Sequence, residues 1–204
     1  MKTNYKVAYD KEWEKLKEKD PKDIADKLDV LYCSDKKQFT VTFLNEEYIL
    51  DFNYETIYKK DSTVPLNISA SIIILNYLTF SNTYINISNK WVSLKEIPNG
   101  GALFYPAFYK SAILELINKF GSDCESFVQY SVKIGGIPAD FADKSFVFKV
   151  LPKISVCIAI WEGDDEISPN CTILFNPSIQ HLVHIETVIA IGGYVADSLI
   201  NIKS

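Results

Sequence analysis

The sequence contains no arginine, and all 21 of its basic residues are lysines. Arginine holds carboxylates and phosphates through two parallel hydrogen bonds, so its absence excludes an arginine finger and any bidentate clamp. The 26 acidic residues outnumber the lysines and give a formal net charge of −5. Nucleic-acid binding depends on a basic surface that neutralises phosphates, and the sequence shows no basic segment of that kind. We therefore expect no nucleic-acid partner.

Long apolar segments are also absent. The longest strongly apolar run, ISASIIILNYLTF, is much shorter than the roughly 20 residues that a membrane-spanning helix needs. The amino-terminal segment MKTNYKVAYDKEWEKLKEK is charged and has helical spacing, without the apolar stretch of a signal peptide. The sequence therefore predicts a cytoplasmic protein with no membrane partner.

Several catalytic and cofactor motifs are missing. No serine lies in a GxSxG turn, and the glycine pairs at residues 100–101, 135–136 and 192–193 form neither GxGxxG nor GxxxxGK[ST]. These absences argue against a nucleophile elbow and against the standard dinucleotide and P-loop phosphate sites. The four cysteines contain no CxxC pair, so we expect no zinc or iron–sulfur site made by this chain alone.

Two of the cysteines, Cys157 and Cys171, flank an acidic segment that is predicted to be a turn. If this turn is centred near Asp164, the two cysteines lie opposite each other on a hairpin, where a disulfide is geometrically possible. In a reducing cytosol we expect both to remain free thiols that pack as small apolar groups.

What the sequence does contain is ample material for a core, because 48% of its residues are apolar and 13% are aromatic. A chain of 204 residues is expected to form a single domain, residues 1–204, with possible lobes at residues 1–64 and 65–204. The order of its segments predicts an α+β fold. This fold has amino-terminal helices and a hairpin, then central helices, then a carboxy-terminal antiparallel sheet closed by a final helix.

Local signals place the elements of the amino-terminal half. Charged and apolar residues alternate with helical spacing up to Lys19, and Asp20-Pro21 is a typical cap and first residue of a second helix. The segments QFTVTFL and EYILDFN flank Asn45-Glu46, which predicts a hairpin with a tight turn. Pro65 is predicted to open a buried helix that contains the long apolar run.

The carboxy-terminal half changes from helix to strand character. The segment NKWVSLKEIPNGGALFYPAF is predicted to be irregular, and the helix AFYKSAILELINKF ends at Gly121. Ser122 is the predicted cap of the next helix. The segments SFVFKVLP, ISVCIAIW and CTILFN are predicted strands because they are rich in β-branched and aromatic residues. The segment IETVIAIGGYVADSLI is the predicted closing helix.

The order of four segments resembles that of a known protein family. These segments are LNYL, NKWVSLKEIPNGGALFYPAF, KSFVFKVLPKISVCIAIWEGDDEISPNCTILFN and HLVHIETVIAIGGYVADSL. From about Leu75 to Leu199 they resemble the family catalogued as domain of unknown function 3786, whereas the first third fits it only loosely. The resemblance implies a soluble protein of anaerobic bacteria and archaea without an established activity. Some relatives carry an additional cysteine-rich segment of iron–sulfur type, which this sequence lacks.

An acidic segment, WEGDDE, directly follows the apolar run VCIAI. Its candidate ligand- or partner-binding residues are Trp161, Glu162, Asp164, Asp165 and Glu166. Acidic residues supply oxygen ligands to hard cations, but the spacing here does not match that of an EF-hand loop. The alternative is a hairpin turn in which Gly163 supplies a special backbone angle and the acids keep the tip soluble. We expect this turn, with recognition of a basic partner as its functional use.

The two histidines of the chain lie close together in the segment HLVHIE. His181, His184 and Glu186 are candidate ligands for zinc, for iron or for the metal of a tetrapyrrole such as haem or a corrinoid. Their spacing differs from HExxH, which places both histidines on one helix face. The alternative is that they are ordinary exposed or capping histidines, with Glu186 near the positive end of the final helix.

Aromatic residues are concentrated between Trp91 and Phe108. Trp91 and Tyr105 are candidates to line a pocket for a flat ligand, although such density is also typical of a core. The sequence as a whole predicts a non-catalytic accessory or binding protein of anaerobic metabolism with an unidentified protein or small-molecule partner. The alternative is a metal- or tetrapyrrole-dependent enzyme or carrier that uses His181 and His184. The sequence identifies no cofactor.

Overall fold

The computed structural model describes residues 2–81 and 83–202, and it shows the predicted α+β fold. The helices are α1 (Lys2–Lys17), α2 (Pro21–Leu28), α3 (Ile68–Phe80), α4 (Gly101–Phe108), α5 (Leu114–Phe120), α6 (Cys124–Lys133) and α7 (Ile185–Ile200). The strands are β1 (Leu31–Cys33), β2 (Gln38–Phe43), β3 (Glu46–Asp51), β4 (Thr56–Lys59), β5 (Val92–Ser93), β6 (Ile137–Ala139), β7 (Lys144–Leu151), β8 (Ile154–Trp161) and β9 (Asn170–Phe175). Short 3-10 helices lie at Leu94–Glu96 and Pro177–His181, and a π-helical turn lies at Tyr109–Ile113.

The two amino-terminal helices begin and pack as the sequence predicts. The side chain of Asp20 accepts a hydrogen bond from the N–H of Lys22 at 2.9 Å, and Pro21 is the first residue of α2. Trp13 of α1 is buried and packs edge-on against Phe52 with ring centroids 5.8 Å apart. This contact holds α1 against the end of β3.

The first sheet has four antiparallel strands in the order β1-β2-β3-β4, and the predicted hairpin forms its centre. The hairpin turn is at Leu44-Asn45, one residue earlier than predicted. Their φ angles of 44° and 65° are the left-handed pair that a tight hairpin turn requires. Strands β1 and β4 are not predicted from the sequence, because both are short and show little apolar alternation.

Helix α3 is the buried helix that the long apolar run predicts. Asn67 caps it by accepting a hydrogen bond from the N–H of Ala70 at 2.9 Å, so the helix begins at Ile68 and not at Pro65. Most of its residues from Ala70 to Thr79 are buried, and it packs along α1 and against α7. In the part of the chain that the structure describes, no helix is long and apolar enough to cross a membrane.

The segment predicted to be irregular is largely helical. Helix α4 continues through the π-helical turn into α5, so the chain is helical from Gly101 to Phe120. Pro106 lies inside α4, and the π-helical turn follows it closely, which is consistent with the missing N–H of proline. Helix α6 is capped by Asp123, which accepts a first-turn N–H at 3.1 Å, and not by the predicted Ser122.

The second sheet has five antiparallel strands in the order β5-β9-β8-β7-β6, of which the central three are the predicted ones. The register places Cys157 opposite Leu174 and Cys171 opposite Ile160. The prediction that the two cysteines face each other is therefore wrong, because the connection at residues 162–169 is centred later in the chain than assumed. Both are free thiols, and burial raises the pKa of each to about 12.

Helix α7 closes the fold, as predicted, and one glycine allows its close approach. A Cβ atom on Gly192 would lie 2.7 Å from Cζ of Phe108 and 2.9 Å from Cζ of Phe175. The two sheets meet where the N–H of Leu44 donates to the carbonyl of Val150 at 2.8 Å. One hydrophobic cluster includes buried side chains of both sheets and of α1, α3 and α7. The single domain with its two possible lobes stays a prediction.

Candidate functional site

A cleft lies between α1, α3 and the start of α7, and we call it the interhelical cleft. Its cavity has a volume of about 360 Å³, within the roughly 300–1,000 Å³ that is typical of small-molecule sites. The lining residues are Ala8, Lys11, Glu12 and Lys15 from α1, Ile72, Asn76 and Phe80 from α3, and His184, Glu186 and Thr187. The cleft therefore brings charged groups of both signs together with a histidine and an amide.

Helical spacing explains why these residues share one cleft. On α1, Ala8, Glu12 and Lys15 are separated by four and three residues, which places them on one face of the helix. On α3, the lining residues recur every four residues from Ile72 to Phe80, with the same result. The cleft is thus the boundary between two helix faces, closed on one side by the first turn of α7.

Glu12 is a nearly buried carboxylate in the interhelical cleft, with only 8% of the residue exposed. One of its oxygens accepts a hydrogen bond from Nζ of Lys15 at 2.5 Å, and the other accepts from the hydroxyl of the buried Thr79. A buried charge needs such partners because it loses its hydration. The carboxylate is therefore held in one position between α1 and α3.

Asn76 connects α3 to α7 within the same cleft. It is 7% exposed, and its Oδ1 accepts a hydrogen bond from the N–H of His184 at 3.0 Å. This bond satisfies a donor at the start of a helix, where N–H groups have no partner within the helix. The amide Nδ2 carries two further donors, and no acceptor for them lies among residues 2–81 and 83–202. Asn76 therefore presents free N–H groups to any occupant of the cleft.

An apolar extension continues the interhelical cleft along the same three helices. This second cavity has a volume of about 450 Å³ and shares Ala8, Ile72, Glu186 and Thr187 with the first. Its other lining residues are Tyr5, Ser69, Ile73, Ile189 and Ala190. The cleft consequently has a charged end near Glu12 and an aliphatic end near Ile189.

The predicted metal ligands lie at the start of α7 and just before it. His184 occupies the cap position of α7, and its ring packs edge-on against Phe80 with centroids 6.2 Å apart. His181 ends the preceding 3-10 helix, and His184 and Glu186 line the interhelical cleft. All three are exposed. Within the described ranges, no group of three or more His, Cys, Asp or Glu side chains is placed to hold a metal ion. The metal and tetrapyrrole hypothesis stays a prediction.

The acidic segment is the connection between β8 and β9, as the sequence predicts. Oδ1 of Asp164 accepts hydrogen bonds from the N–H groups of Glu166 at 2.8 Å and Ile167 at 2.7 Å. These bonds favour the charged form and lower the pKa of the Asp164 carboxyl. Gly163 does not have the expected left-handed φ. A Cβ atom there would lie 2.5 Å from Cδ of Pro169, so glycine is needed for close approach.

The other residues of the predicted partner site surround this turn and do not line the interhelical cleft. Trp161 is 38% exposed, and the N–H of Glu162 donates a hydrogen bond to Asp143 at 3.1 Å. The carboxylates of Asp165 and Glu166 accept no hydrogen bond from the described residues, and both side chains are exposed. Recognition of a basic partner by this turn stays a prediction.

Trp91 and Tyr105, the predicted lining of a flat-ligand pocket, have separate aromatic contacts. The ring of Trp91 lies 6.0 Å from that of Phe141, between centroids. The ring of Tyr105 lies 6.1 Å from that of Tyr109, and Nζ of Lys95 is 4.2 Å from its centroid. Trp91 lines a cavity of about 200 Å³ that Tyr105 does not line. A flat-ligand pocket lined by both Trp91 and Tyr105 stays a prediction.

The chain matches a protein-family model over most of its length. Residues 20–198 of the 204 match the family described as Domain of unknown function (DUF3786). The chain belongs to this family. The match includes the first sheet, so the shared region begins well before Leu75, where the sequence resemblance becomes clear. No curated protein and no solved structure matches the chain.

The DUF3786 match covers two of the three helices that form the interhelical cleft. It includes Asn76 on α3 and both His184 and Glu186 at the start of α7, whereas Glu12 on α1 precedes it. The groups within the family region are therefore the amide of Asn76, with its free donors, and the first turn of α7.

Most polar residues of the interhelical cleft are not predicted from the sequence. They are Lys11, Glu12, Lys15, Asn76 and Thr187. One signal was present, because Asn76 and Thr79 interrupt the apolar run IIILNYLTF, and a polar residue in a fully buried helix needs a hydrogen-bond partner. Glu12 gave no comparable signal, since it lies among the many charged residues of α1.

Proposed function

We propose that the protein binds a small organic molecule in the interhelical cleft. The observation that supports this proposal is that a polar cavity and an apolar cavity adjoin each other in one cleft. A buried polar end contains Glu12 and Asn76, and an aliphatic extension contains Ile73 and Ile189. Small-molecule sites typically combine an apolar lining with a few fixed polar groups that orient the ligand.

Binding is proposed in preference to catalysis because of how the polar groups are used. The carboxylate of Glu12 would be the best-enclosed candidate for a general base, but Lys15 and Thr79 already hold both of its oxygens. The carbonyl oxygen of the Asn76 amide is likewise used by the N–H of His184. These bonds fix the shape of the site, which favours recognition of a ligand.

The wider role remains as the sequence predicts it. That role is an accessory or binding protein of anaerobic metabolism located in the cytoplasm. The absence of catalytic motifs favours the binding role, the charged amino-terminal segment favours the location, and the family resemblance implies the anaerobic source. A small-molecule site in the interhelical cleft is compatible with that role and gives it a specific location in the fold.

A neutral fluorescent probe tests the proposed function without assuming the ligand's charge. N-phenyl-1-naphthylamine fluoresces more strongly in apolar surroundings, so its titration into the protein reports binding. Ile72 lines both cavities, and Ile72→Trp should fill the passage between them. We expect saturable binding with one probe per chain, weakened at least tenfold by Ile72→Trp.

The matched control is Leu103→Trp on α4. Leu103 is 78% exposed and lines neither cavity, so the same added indole should leave probe binding unchanged. Binding that is absent in the wild-type protein, or equal in both tryptophan variants, would contradict the proposed site.

A further inference from the structure

On the basis of the proposed function, we propose that the ligand is an α-amino acid with an aliphatic side chain. Three groups of the interhelical cleft point to this class. They are the donors of Asn76, the cation of Lys11 and the carboxylate of Glu186. Within the described residues, the Nδ2 donors of Asn76 have no acceptor, and neither Lys11 nor Glu186 forms an ion pair.

The carboxylate of the amino acid is assigned to Asn76 and Lys11. Asn76 is 7% exposed, and its two Nδ2 donors require an acceptor once water is displaced from the cleft. Lys11 lies on α1 beside Glu12, lines the same cavity and forms no ion pair within residues 2–81 and 83–202. A carboxylate satisfies both groups, because it accepts several hydrogen bonds and carries the opposite charge.

The ammonium of the amino acid is assigned to Glu186. Glu12 and Lys15 neutralise each other through their ion pair, so the charges left in the cleft are those of Lys11 and Glu186. Both side chains are exposed, so water solvates them in the free cleft. A bound simple acid would displace part of that water from Glu186 without supplying a counter-charge, and a simple amine would do the same at Lys11. A zwitterion compensates both charges, which is the complementarity that selects one ligand over another.

The side chain of the amino acid is assigned to the apolar extension. Glu186 lines both cavities, so a ligand held there lies where the charged end meets the extension. Beyond it the lining is mainly aliphatic, with Ile72, Ile73, Ile189 and Ala190. An aliphatic side chain such as that of leucine would bury its surface against these residues.

Isothermal titration calorimetry at pH 7 with three related compounds tests this assignment. Leucine carries both charged groups, 4-methylpentanoate lacks the amino group, and 3-methylbutylamine lacks the carboxylate. We expect leucine to bind at least tenfold more tightly than either analogue, because each analogue leaves one charge of the cleft unpaired. If an analogue binds as tightly as leucine, the zwitterion assignment is wrong.

Single substitutions separate the two ends of the ligand. Asn76→Asp keeps an acceptor for the N–H of His184 but removes the free donors, so we expect leucine to bind at least tenfold more weakly. Lys11→Glu, at an exposed position, should also weaken leucine binding, whereas the matched charge reversal Lys22→Glu on α2 should not. Glu186→Gln should weaken the binding of leucine but leave that of 4-methylpentanoate unchanged. Equal leucine affinity in Lys11→Glu and Lys22→Glu would overturn the assignment even if Asn76→Asp fails to fold.

The fluorescent probe distinguishes failure of this inference from failure of the proposed function. If N-phenyl-1-naphthylamine binds in the cleft but leucine does not, the amino-acid assignment is wrong and the binding site stands. If neither compound binds, both proposals are wrong.

Discussion

Oδ1 of Asn76 accepts a hydrogen bond from the backbone N–H of His184 at 3.0 Å, although the two residues are 108 positions apart in the chain. The bond joins the middle of α3 to the first turn of α7. It also fixes the orientation of the Asn76 amide, since Oδ1 must face His184 and Nδ2 must face away from it. The Asn76 side chain thus links α3 to α7 and sets the direction of the free donors in the interhelical cleft.

Replacing Asn76 with alanine should destabilise the fold. The N–H of His184 would lose the acceptor that the nearly buried Asn76 side chain supplies, and the loss of such a partly buried hydrogen bond typically costs about 1 kcal/mol. Urea unfolding followed by circular dichroism measures the change. The same substitution at Asn118, an exposed residue of α5, should alter stability by no more than about 0.5 kcal/mol. Similar stability of the two variants would contradict the structural role of Asn76.

Glu12 and Thr79 should be energetically coupled across the boundary between α1 and α3. Glu12→Ala leaves the Thr79 hydroxyl with only its longer contact to the carbonyl of Asn76 at 3.4 Å, and Thr79→Val removes the donor with little change in shape. Each variant should lose roughly 1–3 kcal/mol of unfolding free energy, and the double variant should lose less than the sum. Glu14→Ala, at an exposed position on the same helix, is the control. Strict additivity in the double-mutant cycle would show that the two side chains do not interact.

The fold was predictable where the local signal was strong. The apolar run of α3, the Asp20-Pro21 cap and the β-branched strands β7, β8 and β9 all gave correct elements. Edge strands such as β1 and β5 were not predictable, because they have only two or three residues and form only by pairing with a neighbour. The strand register was predicted wrongly for Cys157 because it depends on the exact length of the acidic turn.

The interhelical cleft was much less predictable than the fold. Glu12, Asn76 and His184 come from three distant parts of the sequence and meet only through the packing of α1, α3 and α7. The sequence pattern HLVHIE did identify His184 and Glu186, but as metal ligands with His181 and not as part of a cleft. Residue spacing along the chain cannot reveal groups that tertiary packing brings together.

The glycine pair in α7 should respond in opposite directions to alanine. A Cβ atom on Gly192 would lie 2.7 Å from Cζ of Phe108, so Gly192→Ala forces the helix away from α4 and should cost about 1–3 kcal/mol. A Cβ atom on Gly193 would meet nothing within 4 Å, so Gly193→Ala should stabilise the helix by about 0.5–1 kcal/mol. Thermal unfolding of both variants measures the difference. Stabilisation by Gly192→Ala would contradict the close packing of α7.

Asp164 should stabilise the acidic turn in a pH-dependent manner. Its pKa is lowered in the folded protein by the N–H groups of Glu166 and Ile167. The stabilisation is therefore fully present well above the pKa of an unfolded aspartate, about 3.9, and is lost as the pH falls through the lowered folded value. Asp164→Asn should be less stable than the wild-type protein at pH 7, and this difference should shrink as the pH falls below about 4.

The control for the acidic turn is Asp165→Asn, which changes the same charge at an adjacent exposed position. Its stability relative to the wild-type protein should vary less between pH 7 and pH 3 than that of Asp164→Asn. The same pH dependence in both variants would indicate a general effect of charge and would rule out a specific role of the Asp164 hydrogen bonds. Urea unfolding at a series of pH values provides the comparison.

The most direct test of the interhelical cleft as a ligand site is a ¹H–¹⁵N NMR titration of the labelled protein with N-phenyl-1-naphthylamine. We predict that the largest shift changes occur at the side-chain amide of Asn76 and at the backbone amides of Ile72 and of His184 to Thr187, which surround the cleft. Largest changes at the acidic turn or around Trp91, or no changes at saturating probe, would contradict a binding site between α1, α3 and α7.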